Sequence, residues 1–586
     1  MQPVSPAEST RSAERRRPSP LQPVPPRCSL PILKPTHPHF ARRAVGLAVS
    51  AALLCSGLPV PRPASAQPQQ APAPRLPALG DAGSEELTLG EERRIGEQIM
   101  REARRDPAWL DDPVLLAYIQ SLWQPLVEAA RRRGDIDAGL DAQFRWEIFL
   151  VRDRAVNAFA LPGGYVGVHL ALIALTHNRD QLASVLAHEL SHVTQRHIAR
   201  SVGNASRTSM LALAGLLLGV LAASRSNSID VANAAIMGSQ GAALQGQLNF
   251  SREMEREADR IGYGVLADAG FATTGMAQMF ERLQGNAAVA DSGAFPYLRT
   301  HPLTVERISE ARNRVLLAGA APAPRASLLH ALMQSRARVL MDRNAQALQR
   351  LAGGATASPA LVERIAALAT GALAQAQLGQ GVAAEDLAVQ ALRLARTVPV
   401  AEREPAAERV LLLLQAESRL ASGDGAGTWR LLEDADPAPA VHGTPGTLFA
   451  ARTDRSTLTL RAQAALKWHE RDPRAAADAV RTSTEALQTW LAEHGQDAGG
   501  WELLALTADA LGQRLRSMRA GAEARAALGD LAGAIDRLRA AQAMARTGSD
   551  FIDASIIDTR LRQLLDERRQ LAIEARQRSG SDREGR

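Results

Sequence analysis

The 586-residue sequence predicts a mainly α protein, with an α+β domain built on a small sheet followed by an α-helical repeat region. Three observations carry this reading. Ala, Leu and Arg abound while aromatic residues make up only 4% of the chain, which favours helices over sheets. Between about residues 143 and 168 the apolar pattern switches to alternation with a Pro-Gly-Gly turn, which reads as short strands. From about Ser327 onward the chain is almost entirely Ala/Leu/Arg helix broken by Gly and Pro.

Taken in order, residues 1–66 read as a targeting segment with a long, proline-rich start. Arg42 and Arg43 precede an apolar run from Ala44 to Leu58, and Ala64-Ser65-Ala66 offers a small-residue cleavage site. A lipid-modified Cys55 is disfavoured because the bulky Leu54 stands where a small residue is required. Both cysteines, Cys28 and Cys55, fall in this leader, so the exported chain has neither disulfides nor thiolate ligands and suits the periplasm. The leader also holds the net positive charge, because 59 basic residues face 60 acidic ones after residue 66. A balance so close to neutral gives no footprint for nucleic acid.

Residues 67–83, rich in Pro, Gln, Ala and Gly, read as a linker, and residues 84–326 as the α+β domain. Within it, Ile95 and Ile99 mark one helix, and Asp112-Pro113 supplies an N-cap and a first-turn proline for the next. Phe144, Trp146, Ile148 and Leu150 alternate as a strand, and residues on either side of Pro162-Gly163-Gly164 form two more. A helix then follows over residues 181–197, with Asn178 as its N-cap and Leu182, Val185, Leu186 and Val193 on its buried face. Met210 to Ala223 carries no charge but is too short to span a bilayer, which favours a buried or membrane-surface helix and allows peripheral membrane contact. Residues 327–586 read as tetratricopeptide-like helix pairs in preference to an irregular bundle, one pair around Gly423 and a better one running from Met518 through Gly529 to Ala541.

Chemistry concentrates on the helix over 181–197. His188 and His192 are four apart, so their imidazoles share one helix face, the spacing of a two-ligand zinc clamp with Glu189 beside the open position. So short a pattern recurs by chance and needs a second signal. Glu255 and Asp259 supply it, sharing one face of a later helix: one carboxylate can complete a His-His-Glu site, the other can hold the spare N–H of a ligand histidine. Gln195 and Ile198 stand where a metzincin has glycine and its third histidine, excluding that subclass. His197 lies off the ligand face and is expected at the surface, and His169 and His177 are expected to be structural. The strand after the turn, Gly164, Tyr165 and Val166, is expected to pair with an extended substrate backbone.

The motifs His188-Glu189-Leu-Ser-His192 and Glu255-Arg-Glu-Ala-Asp259, with Asn157-Ala-Phe-Ala-Leu-Pro-Gly-Gly164, resemble the HtpX/CAAX-prenyl-endopeptidase group of gluzincin metallopeptidases. The resemblance implies a gluzincin-type fold, one zinc ion held by His188, His192 and Glu255, Glu189 as general base and Asp259 as support. It also places His301 where the group has a loop histidine able to reach the zinc as a regulatory fourth ligand. With a leader and a repeat tail, the chain looks like a periplasmic branch of that group. Such a protein would act on unfolded or misassembled proteins and with the outer-membrane β-barrel assembly machinery. The rival expectation is a chaperone or assembly factor whose protease is normally latched.

Overall fold

The computed structural model describes residues 87–202, 251–289, 295–317, 327–354, 360–434, 454–546 and 551–584. The expected leader, the linker and the uncharged 210–223 stretch lie outside them. Helix α1 (Leu89–Ala103) opens with a reciprocal cap, Thr88 accepting from the Glu91 amide while the Glu91 carboxylate accepts from the Thr88 amide. Strand β1 (Trp109–Leu110) follows. Helix α2 (Pro113–Arg133) starts as expected, with Asp112 accepting from the Leu115 amide at 2.8 Å and proline in the first turn. It is followed by α3 (Ala138–Gln143), which alternation did not reveal because the helix is only six residues long.

Strands β2 (Glu147–Val151), β3 (Ala158–Leu161) and β4 (Tyr165–His169) complete a four-stranded sheet in the order β1-β2-β4-β3. Strand β4 pairs in parallel with β2 and antiparallel with β3. The β3–β4 hairpin closes through Gly163 (φ 81°) and Gly164 (φ 88°), a left-handed pair that side chains disfavour. Short α4 (Leu170–Leu175) leads into α5 (Arg179–Thr194), capped as expected by Asn178, whose side chain accepts from the Gln181 amide at 2.9 Å. Every residue of α5 from Asp180 to Thr194 is buried. A helix buried on every side is a core helix even though α5 carries Asp180, Gln181, His188, Glu189 and His192 among its buried residues, and it runs through the middle of the domain.

Helix α6 (His197–Val202) ends that part of the described chain. It resumes with α7 (Arg252–Asp268), α8 (Thr274–Val289), the single turn α9 (Pro296–Thr300) and α10 (Val305–Leu317). Helix α7 lies tightly on α5, because a Cβ on Gly262 would stand 3.1 Å from the Ala187 carbonyl oxygen. Glycine there allows the close approach that brings the α7 carboxylates up to the α5 histidines.

The rest is helical: α11 (Leu328–Met341), α12 (Ala345–Ala352), α13 (Leu361–Gln377), α14 (Gly381–Ala395), α15 (Pro405–Ala421) and α16 (Gly425–Asp434). After them come α17 (Arg455–His469), α18 (Ala477–Glu493), α19 (Ala498–Ala510), α20 (Arg514–Ala527), α21 (Leu531–Ala545) and α22 (Phe551–Glu584). Most pack chiefly on their sequence neighbours. Gly379, Gly423, Gly512 and Gly529 take φ of 74–83° just past helix ends, the left-handed cap that turns one helix back on the last. Among the described residues no helix is long and apolar enough to cross a membrane.

The hydrophobic core does not stop at residue 326. One continuous cluster runs from Leu110 through Ile173 and Leu186 to Met333, Leu373, Leu411 and Leu460. Polar ties reinforce the seam. His330 on α11 receives the Tyr118 hydroxyl on Nδ1 at 2.6 Å and meets the Thr176 carbonyl with Nε2 at 3.0 Å. Arg336 forks Asp112 on one side and Glu417 on the other, with four contacts of 2.8–3.0 Å. Arg455 bridges Asp111 and Asp497 in the same manner.

Candidate metal centre

Helix α5 projects His188 and His192 from one face, α7 projects Glu255 and Asp259, and His301 caps the end of α9. These side chains meet in a pocket closed to solvent: none is more than 5% exposed. One ligand atom from each of His188, His192, Glu255 and His301 lies within 4.8 Å of the others.

The edges of the cluster test its fit to a metal. His188 Nε2 is 3.0 Å from His192 Nε2, 3.4 Å from His301 Nδ1 and 3.4 Å from Glu255 Oε2. Glu255 Oε1 stands 3.4 Å from His192 Nε2 and 3.0 Å from His301 Nδ1. Four donors around a tetrahedral zinc ion, each at about 2.0–2.1 Å, would stand roughly 3.4 Å apart. The donor set, three imidazoles and one carboxylate without sulfur, also suits zinc. Residues and spacing therefore fit the ion.

Partners behind the cluster orient its members. His188 Nδ1 sits 2.9 Å from Asp259 Oδ1. Arg307, from α10, grips Asp259 with two hydrogen bonds of 2.7 and 2.9 Å and reaches Glu255 Oε2 at 2.8 Å. Its guanidinium also lies over the Phe280 ring, 5.1 Å from the centroid. Tyr297 stacks on His301 with centroids 4.7 Å apart. Neither Arg307 nor Tyr297 stands out by spacing: one arginine among many, 48 residues beyond Asp259, carries no periodic signal.

Burial sets the electrostatics. Desolvation raises the Glu189 carboxyl above the usual carboxylate range, against the opposing pull of His301 and His188. Desolvation disfavours a charged His188, but Asp259 and Glu255 outweigh it and raise the imidazole to about 9. Desolvation drives His192 well below the usual histidine range. Burial opposes the Glu255 charge as well, yet His301, His188 and His192 hold that carboxyl well below its ordinary value. Protons and a cation would compete for the same lone pairs.

Two expectations are corrected. His197 is not at the surface but fully buried, its Nδ1 2.8 Å from His192 Nδ1. A straight continuation of α5 would have pointed it away; the chain instead turns sharply at Arg196, where φ is 51°. Gly164, Tyr165 and Val166 cannot add a substrate strand, because β4 is paired on both sides, with β2 and with β3. Strands β1 and β3 are the two edges of the sheet, and β3 is the edge that lies beside the Pro162-Gly163-Gly164 turn and β4. His169 is buried with Nδ1 3.1 Å from the Ala155 carbonyl, and His177 meets Arg282, so both sit outside the cluster.

Residues 118–315, which hold the whole cluster, match the model of peptidase family M48. The chain is 40% identical over 242 residues to a putative beta-barrel assembly-enhancing protease of Vibrio cholerae, covering 41% of this chain and 47% of that protein. It is 37% identical over 242 residues to the beta-barrel assembly-enhancing protease of Escherichia coli, with the same coverage. To the mitochondrial metalloendopeptidase OMA1 of Saccharomyces cerevisiae it is 31% identical over 230 residues, 38% of this chain and 61% of that one. The aligned part spans about half the length of the first two relatives.

Proposed function

We propose, on the premise that residues 118–315 match peptidase family M48, that the chain is a zinc-dependent endopeptidase of the periplasm. Its substrates are misfolded or misassembled outer-membrane proteins. The observation that carries the reading is the buried His188–His192–Glu255–His301 cluster with tetrahedral edges and Glu189 beside it. His188, His192 and Glu255 would hold the zinc, and Asp259 and Arg307 would hold the ligands. Zinc bound there would polarise a scissile carbonyl and acidify a water molecule. Glu189 would serve as the general base, taking a proton from the attacking water and passing it to the leaving amine, a task suited to a carboxyl raised by burial. The open edge of β3 offers backbone pairing to an extended substrate.

The relatives named for β-barrel assembly support a role beside the outer-membrane assembly machinery, with the helix pairs as tetratricopeptide-like modules for partner or substrate. The domain limits proposed are 84–326 for the peptidase and 327–586 for the helical region. A second reading, an assembly factor whose protease is latched, is favoured by one observation. His301 fills the fourth corner of the cluster, and a site with four protein ligands leaves no position for substrate. The test is zinc content together with casein cleavage, for the parent chain and for Glu189→Gln. The variant should keep its zinc and lose cleavage by about 10²–10⁴-fold. A variant as active as the parent, or a parent with no zinc, overturns the assignment.

A further inference from the structure

We propose that His197, Glu257 and Arg200 form a positioning relay behind His192, fixing which ring nitrogen of that ligand carries its proton. The proposal rests on the zinc reading of the site and deepens it.

His192 turns Nε2 toward the cluster, 3.0 Å from His188 Nε2, so a neutral His192 that ligates through Nε2 must carry its proton on Nδ1. That Nδ1 lies 2.8 Å from His197 Nδ1, which must then accept. His197 in turn carries its proton on Nε2, 3.0 Å from Glu257 Oε2. Arg200 Nη1 donates to the same oxygen at 2.8 Å and keeps it charged. Every proton in the row is assigned once the first is. The N–H donors all point one way, from the ligand imidazole of His192 to His197 and on to the Glu257 carboxylate.

The two ligand histidines are thereby supported differently. His188 faces the Asp259 carboxylate directly, at 2.9 Å. His192 faces a neutral ring, an uncommon partner where carboxylates, carbonyls and water are the rule. The backbone gives independent support. Arg196 adopts φ 51°, a left-handed conformation that a residue other than glycine disfavours. Its side chain is tied down by Glu92 at 3.0 Å and by the Leu87 carbonyl at 2.6 Å. That anchored turn returns His197 to the back of His192 instead of letting α5 run on. The result is complete burial of His197, at 0% exposure.

The experiment measures zinc dissociation constants by competition with a chromophoric chelator, for the full chain and three variants. His197→Phe fills the space without hydrogen bonds and should weaken zinc binding by about 10–100-fold. His197→Gln can accept from His192 through its oxygen and donate to Glu257 through its amide, and should return affinity to within about threefold of the parent. Glu257→Ala, at the partly exposed end of the relay, leaves the His197 packing in place and should weaken zinc by a few fold even if the Phe variant does not fold. In the cobalt(II)-substituted parent, the His192 Nδ1–H gives a paramagnetically shifted, slowly exchanging proton signal that is lost in His197→Phe and retained in His197→Gln. Equal affinities across parent and variants, or Gln no better than a folded Phe variant, overturn the relay while leaving the site intact. A parent chain without zinc affinity overturns the reading of the site itself, and the relay with it.

Discussion

Acidification should loosen the seam between the sheet-bearing part of the chain and the helices that follow it through one buried histidine, His330. Desolvation lowers its imidazole to about 4, against the opposing hydrogen bond to the Thr176 carbonyl. The neutral ring fits its surroundings: Tyr118 donates to Nδ1 and Nε2 donates to Thr176. A second proton on Nδ1 would confront the buried Tyr118 hydroxyl with another donor. At pH 7.5 folded and unfolded chains are both neutral here, so nothing is lost. As pH falls below the unfolded value of about 6.5, the unfolded chain takes the proton first and stability declines until the folded ring titrates near 4. From those two values the loss is about 2 kcal/mol at pH 5 and about 3 kcal/mol at pH 4, levelling off at about 3.4 kcal/mol at lower pH. His330→Gln can accept from Tyr118 and donate to Thr176 without titrating. Urea unfolding followed by tryptophan fluorescence at pH 7.5 and pH 5 should show the parent losing about 2 kcal/mol more than the variant across that interval. Other buried histidines, such as His197, contribute equally to both chains and cancel. Equal losses in the two would refute the assignment.

Further outcomes follow from the site. His301→Ala should raise casein cleavage, by roughly tenfold if nine molecules in ten are latched; a fall in activity at full zinc occupancy would rule out the latch. On β3, the Asn157–His169 bond makes alternate residues face β4, so the amides of Ala158 and Ala160 point to the open edge. Ala160→Pro should therefore cut cleavage by about tenfold or more with zinc retained, since proline removes an edge donor while sparing the ladder. Unchanged turnover would move the substrate elsewhere.

What could be read from sequence was what local spacing encodes. Asn178 and Asp112-Pro113 cap helices by contacts within three residues, and His188, His192, Glu255 and Asp259 share faces at a spacing of four. His301 stood out only through a family resemblance, yet it reaches the cluster. Long-range pairing was not legible: the parallel match of β2 with β4 makes β4 central and leaves β3 at the edge, which no alternation pattern states. His197 was misplaced because periodicity assumes a straight helix, and one residue at φ 51° ends that assumption. Arg307 had no signal, since its role arises only when α10 folds against α7.

The unbroken core from Leu110 to Leu460 also sets an order of events in time. A chain that emerges from its amino-terminal end delivers His188 and Glu255 well before the helices that cover Ile173 and Leu186. Until α11 to α15 arrive, the apolar surface around α4 has nothing to bury it, and the part of the chain that carries the cluster is an unfinished shell. Closure of that core by α11 to α15 is then what finally encloses α4 and α5.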